Sequence, residues 1–103
     1  MSFELINTPY PYANDDLWDS IELDCLNGVE QALEDGADVN FQKDRWTPLQ
    51  LAVYNGNTEI VKLLLEYGAN PNMKGYGNQT ALGYAEYWNR VKIAQILRTP
   101  RKA

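Results

Sequence analysis

Few residues of this 103-residue chain are suited to catalysis, and histidine is absent. Without histidine, a serine or cysteine nucleophile lacks its usual general base. The single cysteine, Cys25, has acidic neighbours and no histidine partner, so we interpret it as a small packing residue. These residues predict that the chain is not an enzyme.

Metal and phosphate sites are not indicated either. Asp15, Asp16 and Asp19 lack the spacing of a calcium loop, and we expect them near the positive start of a helix. Gly75 and Gly77 precede neither a Lys-Ser/Thr pair nor a buried strand, so they do not form a phosphate loop. The sequence therefore predicts no metal and no cofactor.

Charge is distributed unevenly along the chain. The first 40 residues carry ten acidic and no basic side chains, whereas the remainder carries four acidic and nine basic ones, which gives a net charge of −5. This pattern has two interpretations, solubility with a weak dipole or an acidic surface that attracts a basic partner. The net charge disfavours nucleic-acid binding, and we expect Lys43, Arg45 and Lys74 to be solvated.

The composition also indicates a compartment. One cysteine excludes an intrachain disulfide, and the N-terminus lacks a basic start followed by a long apolar run. No apolar run approaches the roughly 18 residues that a membrane span requires. We therefore expect a cytoplasmic protein with no membrane association.

An internal repeat organises most of the chain. "TPLQLAVYNGN" at residue 47 recurs as "TALGYAEYWNR" at 80, and "GADVN" at 36 recurs as "GANPN" at 68. The same spacing aligns Leu17, Leu49 and Leu82. Three copies spaced by 32 or 33 residues predict a stacked array in which each unit buries its apolar face against a neighbour.

The middle repeat has the clearest helix signals. Thr47 is a good N-cap and Pro48 fits the first turn of a helix. Asn55-Gly56 supplies a left-handed residue that ends this helix, and Asn57 can cap the next one. The run from Ile60 to Leu65 is apolar on almost all sides, which predicts a helix packed between neighbours.

These motifs resemble the ankyrin repeat family. "TPLQLA" departs from the family's T-P-L-H-x-A only by Gln50 in place of His, and "NGNTEIVKLLLEYGANPN" is similar to the family's second helix and exit loop. The resemblance implies an all-α ankyrin-repeat solenoid of three helix-turn-helix units joined by β-hairpin fingers. The fingers would be residues 41–46 (finger 1) and 73–79 (finger 2).

The repeat domain is then expected over residues 15–98, with repeats at about 15–46, 47–79 and 80–98. Residues 1–14 form an N-terminal extended cap or tail, and residues 99–103 a C-terminal tail. Phe3, Leu5 and Ile6 could anchor the cap on the first repeat. A disordered tail is the alternative.

The resemblance also implies a binding face, the concave side made of finger tips and the outer sides of the first helices. The repeat register places the following residues there: Glu22, Leu23, Lys43, Arg45, Trp46, Tyr54, Asn55, Tyr76, Gln79, Tyr87 and Trp88. Five of them are aromatic, which is typical of interfaces. The alternative is structural: Trp46 packs under finger 1, and Trp88 covers the open end of the last repeat.

We therefore expect a protein–protein interaction module that binds one partner protein on its concave face and acts by occupancy, as an adaptor or an inhibitor. One alternative is an immunity-type antitoxin that neutralises a basic toxin or nuclease, because an acidic surface would accelerate association. Another alternative is a structural, self-associating repeat unit. We expect the free chain to be a monomer, and the sequence does not identify its partner.

Overall fold

The computed structural model describes residues 12–99, which form six short helices in two layers. Consecutive helices pair as hairpins, while the first helices of the hairpins pack side by side and so do the second helices. The predicted all-α solenoid of three helix-turn-helix units is confirmed. The helices are α1 (Ala13–Glu22), α2 (Leu26–Glu34), α3 (Pro48–Asn55), α4 (Thr58–Glu66), α5 (Ala81–Tyr87) and α6 (Val91–Arg98).

The two fingers are tight turns. Between residues 12 and 99 no strand forms, and finger 1 contains a single antiparallel bridge between Lys43 and Trp46. Finger 2 contains a 3-10 turn over Tyr76–Asn78, and the amide of Gly75 donates to the carbonyl of Gln79 at 2.9 Å. The expected hairpins are thus reduced to their turns.

The ends of the repeat domain can be compared with the expectation only in part. Helix α1 begins at Ala13, two residues before the expected start of the first repeat. The proposed anchors Phe3, Leu5 and Ile6 lie outside the described residues, as do residues 100–103 of the expected C-terminal tail.

Helix α3 begins with the predicted cap. The Thr47 hydroxyl accepts from the amide of Gln50 at 3.2 Å, and the Gln50 side-chain oxygen accepts from the amide of Thr47 at 3.0 Å. This reciprocal capping box satisfies two donors that the first turn leaves unpaired. The side-chain amide of Gln50 also donates to the carbonyl of Met73 at 2.9 Å. The departure from the family's His therefore connects α3 to finger 2.

Helix α4 lies between neighbours, as its sequence predicts. Ile60, Val61, Leu64 and Leu65 are all buried, because α2 covers one side of the helix and α6 the other. Asn57 caps the helix by accepting from the amide of Ile60 at 3.1 Å. The central hairpin therefore supplies the middle of the core.

Hydrogen bonds between successive repeats fix the stacking of the first helices. The Asn55 side-chain amide donates to the carbonyl of Ile21 at 3.1 Å, near the end of α1. Arg90 donates in the same way from Nε to the carbonyl of Val53 at 3.2 Å and from Nη2 to that of Tyr54 at 2.6 Å, near the end of α3. The carbonyls of Ile21 and Val53 also accept from the amides of Asp24 and Gly56 at 3.0 Å, so the next repeat adds a second hydrogen bond at each helix end.

A second set of hydrogen bonds joins the loops that follow the second helices. The side-chain oxygen of Asn40 accepts from the amide of Asn70 at 2.7 Å, and its side-chain amide donates to the carbonyl of Gly68 at 3.3 Å. Asn14 of α1 accepts from the amide of Asp38 at 2.7 Å. Asp38 and Asn70 occupy equivalent positions in the repeat. The side-chain oxygen of Asn14 therefore accepts from the first loop the same backbone hydrogen bond that Asn40 accepts from the second.

Cys25 is not a packing residue, so that interpretation was wrong. The residue is exposed and lies at the N-cap of α2, where its sulfur accepts from the amide of Gly28 at 3.4 Å. Sulfur is a weak acceptor, and a cap position points the side chain outward.

Within the part of the chain that the structure describes, no helix has the length and apolar character needed to cross a membrane.

Leu64→Ala should lower the free energy of unfolding by about 2–5 kcal/mol, because Leu64 is fully buried at the centre of α4. Urea denaturation followed by circular dichroism measures this change. Leu23→Ala is the matched control: Leu23 is 77% exposed, so we expect a change within about 0.5 kcal/mol. Equal effects of the two substitutions would contradict the assignment of the core.

Candidate functional site

Aromatic side chains gather where the fingers meet the first helices. Trp46 comes from finger 1 and Tyr76 from finger 2, while the other rings stand on α3 and on α5 and its C-terminal end. Neighbouring ring centroids in this group are 5.0–6.2 Å apart. We call the group the aromatic cluster, and its members are Trp46, Tyr54, Tyr76, Tyr84, Tyr87 and Trp88.

Three nearly parallel rings form the base of the aromatic cluster. The centroid of Tyr84 lies 5.1 Å from that of Trp46 and 5.2 Å from that of Trp88, with interplanar angles of 22° and 15°. Trp46 and Trp88 are themselves 6.2 Å apart at 15°. Offset stacking of this kind is favourable for aromatic rings, so these three side chains hold one another in place.

Tyr84 is the buried member of the aromatic cluster. Its side chain is 5% exposed, and its hydroxyl donates to the carbonyl of Tyr76 at 2.5 Å. Burial raises the pKa of Tyr84 above its ordinary value. The phenol therefore stays protonated at neutral pH and connects α5 to finger 2.

The outer members of the aromatic cluster face solvent. Tyr54 is 51% exposed and meets Trp88 edge to face at 5.0 Å, and Tyr87 is 79% exposed. Large aromatic side chains that remain exposed beside packed rings are typical of interaction surfaces.

A groove runs beside the aromatic cluster between the first two repeats. It has a volume of about 240 Å³ and is lined by Trp18 of α1, Leu51 and Tyr54 of α3, and Trp46 of finger 1. Trp18 is itself held edge to face against Phe41, with their centroids 5.8 Å apart. All four lining residues present apolar carbon, so the groove suits an apolar ligand group.

Finger 1 presents Trp46 through a two-residue turn. Lys43 and Trp46 exchange two backbone hydrogen bonds of 2.9 Å, and Asp44 and Arg45 both have positive φ, 53° and 71°. These features define a type I′ turn, which usually holds Asn or Asp followed by Gly. Arg45 therefore occupies a left-handed conformation that is unfavourable for its side chain.

The two basic residues of finger 1 lie over aromatic rings. The Lys43 ammonium is 5.5 Å from the ring centroid of Trp18, and the Arg45 guanidinium is 5.7 Å from that of Tyr76. Ion pairs in residues 12–99 join Lys62 to Glu59 and Arg98 to Glu86, so neither cation of finger 1 pairs with a carboxylate there. Lys43 therefore places a positive charge at the rim of the groove, beside Trp18, whereas Arg45 lies over Tyr76, outside the groove lining.

Acidic side chains surround Tyr67 at the end of α4, on the side formed by the second helices. Partial desolvation raises the pKa of Tyr67, and the carboxylates of Glu34, Glu30 and Glu66 raise it further. We call this the acidic side. The acidic side and the groove rim are thus separate surfaces of opposite charge.

Across residues 12–99, no group of His, Cys, Asp and Glu side chains is arranged to hold a metal ion.

Comparison with known proteins identifies the architecture. The family model described as ankyrin repeats in three copies matches residues 17–102. The chain belongs to the ankyrin repeat family.

Several known ankyrin repeat proteins are similar to this chain. It is 39% identical over 70 residues to ankyrin repeat protein R664 of Acanthamoeba polyphaga mimivirus. The aligned region covers 67% of this chain and 43% of that protein. It is 37% identical over 76 residues to the human 2-5A-dependent ribonuclease. The aligned region covers 72% of this chain and 10% of that protein. It is 40% identical over 70 residues to the ankyrin repeat and KH domain-containing protein mask-1 of Caenorhabditis elegans. That match covers 67% of this chain and 3% of that protein. The chain spans less than half the length of these relatives.

The expected ankyrin binding residues fall into separate places. The five predicted aromatic residues lie in the aromatic cluster. Lys43 lies at the groove rim over Trp18, and Arg45 lies over Tyr76. Asn55 is engaged in the stack through its bond to Ile21. Leu23 lines a different depression, between α1 and α2, and the neighbouring Glu22 is exposed. The side chain of Gln79 lies against Gly83 in the first turns of α5.

Three residues of the site were missed by sequence reasoning, namely Trp18, Leu51 and Tyr84. Leu51 and Tyr84 are equivalent ankyrin positions, each three residues before the predicted Tyr54 and Tyr87. Residues three apart share a helix face, so this spacing could have identified them. For Trp18 no comparable signal exists, because its equivalent in the middle repeat is the capping residue Gln50.

Arg45→Gly should raise the free energy of unfolding by about 1 kcal/mol, because glycine adopts the left-handed conformation of this turn without steric cost. Chemical denaturation measures the gain. Asp44→Gly is the matched control in the same turn, and its gain should be smaller because aspartate tolerates positive φ better than arginine. A loss of stability with Arg45→Gly would contradict the type I′ geometry.

Proposed function

We propose that this ankyrin array binds a partner protein on its concave face and acts by occupancy, as an adaptor or an inhibitor. The observation that supports this proposal most strongly is the aromatic cluster, whose base is packed while Tyr54 and Tyr87 remain exposed. A partner that covers such rings gains a large buried area at a small entropic cost, because each ring has few rotatable bonds.

The arrangement suits recognition better than catalysis. Fixed rings, an apolar groove and the cations Lys43 and Arg45 of finger 1 can bind and orient a ligand, whereas proton transfer needs a group that titrates near neutral pH. We therefore propose that the chain has no enzymatic activity of its own and that the free chain is monomeric.

Tyr54→Ala is the sharpest test of the proposed face. Tyr54 is half-exposed at the groove, so its loss should spare the fold, whereas Trp88 stacks in the base of the aromatic cluster and its removal would disturb packing. We expect proteins captured from native lysate by the immobilised chain to fall about fivefold or more with this variant, as measured by quantitative mass spectrometry.

Tyr67→Ala is the matched control, because Tyr67 is a partly exposed tyrosine on the acidic side. Its capture profile should equal that of the unmodified chain. Equal losses with the two variants, or no loss with either, would reject the concave face. Sedimentation velocity of the free chain is the second control, since a homodimer that closes through the aromatic cluster would double in mass without a partner.

The acidic side favours a second candidate function, neutralisation of a basic protein such as a toxin or nuclease. Glu30, Glu59 and Glu66 line one depression on this side together with Lys62, and Glu34 and Glu30 both raise the pKa of Tyr67. An excess of acidic side chains accelerates association with a basic surface. A basic protein that binds the acidic side would still be captured by the Tyr54→Ala variant.

Salt dependence tests the second candidate. If the acidic side attracts the partner, the association rate of a captured basic protein should fall about tenfold or more between low and high salt. At low salt it should also fall in the double variant Glu30→Gln/Glu34→Gln. The matched control is Glu22→Gln/Asp44→Asn, which removes the same charge from the other side of the array. A flat salt profile would reject this candidate.

A further inference from the structure

We infer that the groove recognises an extended peptide segment in which an acidic side chain neighbours a large apolar one. This inference rests on the proposed binding function and names the chemistry of its partner. It is carried by an apolar groove and by the two cations of finger 1. Lys43 lies over the groove residue Trp18, and Arg45 lies over Tyr76, whose ring packs against the groove residue Trp46.

The groove accounts for the apolar half of the ligand. Trp18, Trp46, Leu51 and Tyr54 line a groove that is open to solvent on one side and has a volume of about 240 Å³. An apolar protein cavity of roughly 150 Å³ already admits benzene. One large side chain, such as Leu, Met or Phe, therefore fits between the rings. The lining residues come from α1, finger 1 and α3, so the ligand would bridge the first two repeats.

Lys43 and Arg45 account for the acidic half. Their charged groups lie over the rings of Trp18 and Tyr76, and neither forms an ion pair with a carboxylate of residues 12–99. A carboxylate of the ligand could pair with either cation without displacing an existing ion pair. Both cations are exposed, so such a pair would act mainly on the association rate and on the register of the partner.

The same cations argue against a positively charged ligand. Open aromatic sites commonly bind cations, because the faces of the rings are electron-rich. Here the ring of Trp18 already has the Lys43 ammonium over it, and that of Tyr76 has the Arg45 guanidinium. A basic side chain entering the groove would meet the like charge of Lys43 at its rim.

A nucleic acid is a poorer match than a peptide. Nucleobases bind by stacking on uncovered ring faces, whereas Trp46 already lies against Tyr84 and Trp88. An acidic and apolar peptide can be bound by the groove together with the two cations of finger 1.

A random library of 12-residue peptides displayed on phage tests the inference with the intact chain as bait. We expect selected sequences to be enriched in Asp or Glu placed within about three residues of Leu, Met or Phe, a span that an extended strand covers in roughly 10 Å. The enrichment should disappear when Tyr54→Ala is the bait and persist with Tyr67→Ala.

Charge reversal then tests the role of finger 1. A fluorescein-labelled copy of the most enriched peptide should bind Lys43→Glu/Arg45→Glu about tenfold more weakly than the unmodified chain, as measured by fluorescence anisotropy. Lys62→Glu/Lys92→Glu is the matched control, because it changes the net charge equally on the second helices. Its affinity should stay within about twofold.

Several outcomes would overturn the inference. Enrichment of basic or purely apolar peptides, equal weakening by both charge reversals, or preferential binding of a single-stranded oligonucleotide would each do so. Doubling of the mass of the free chain through the aromatic cluster would assign the groove to a second copy. If capture of proteins remains sensitive to Tyr54→Ala while the selected peptides are not acidic, the binding function stands and only the chemistry of its ligand is wrong.

Discussion

Each helical hairpin of this protein can bury its apolar side only against the next hairpin, and the rest of the structure depends on that constraint. Helix α4 has its leucines covered because α2 and α6 flank it. The hairpins must also keep a common register, and Asn55 and Arg90 fix it by donating to the carbonyls of Ile21 and Val53 in the preceding repeat. Burial thus provides the stability of the array, while directional hydrogen bonds determine how the repeats align.

This division of roles leaves one side of the array available for binding. The second helices and the inner sides of the first helices form the core, so the fingers and the outer sides of the first helices need not be apolar for folding. That outer side nevertheless carries aromatic rings, which stabilise one another through Tyr84 and Trp88 and remain exposed at Tyr54 and Tyr87. The aromatic cluster is therefore packed at its base and accessible at its rim.

Much of the fold could be predicted from the repeat and from short capping signals. Thr47 and Asn57 cap the helices expected of them, because these signals act within one turn of backbone. Contacts between repeats were less predictable. The groove residues Trp18 and Leu51 depend on which helix face turns toward finger 1, and the turn at Arg45 has no glycine to indicate it. The interpretation of Cys25 as a packing residue was wrong for a related reason. It rested on the residue type, whereas the position of Cys25 at the start of α2 determines its exposure.

The two-residue turn of finger 1 has a consequence for the kinetics and selectivity of recognition. A loop this short, closed by two backbone hydrogen bonds, has little conformational freedom to lose, so the indole of Trp46 is oriented before any ligand arrives. Preorganised sites of this kind lose less entropy on association and adapt poorly to ligands of the wrong shape. The finger would then act as a rigid template that accepts a narrow range of shapes.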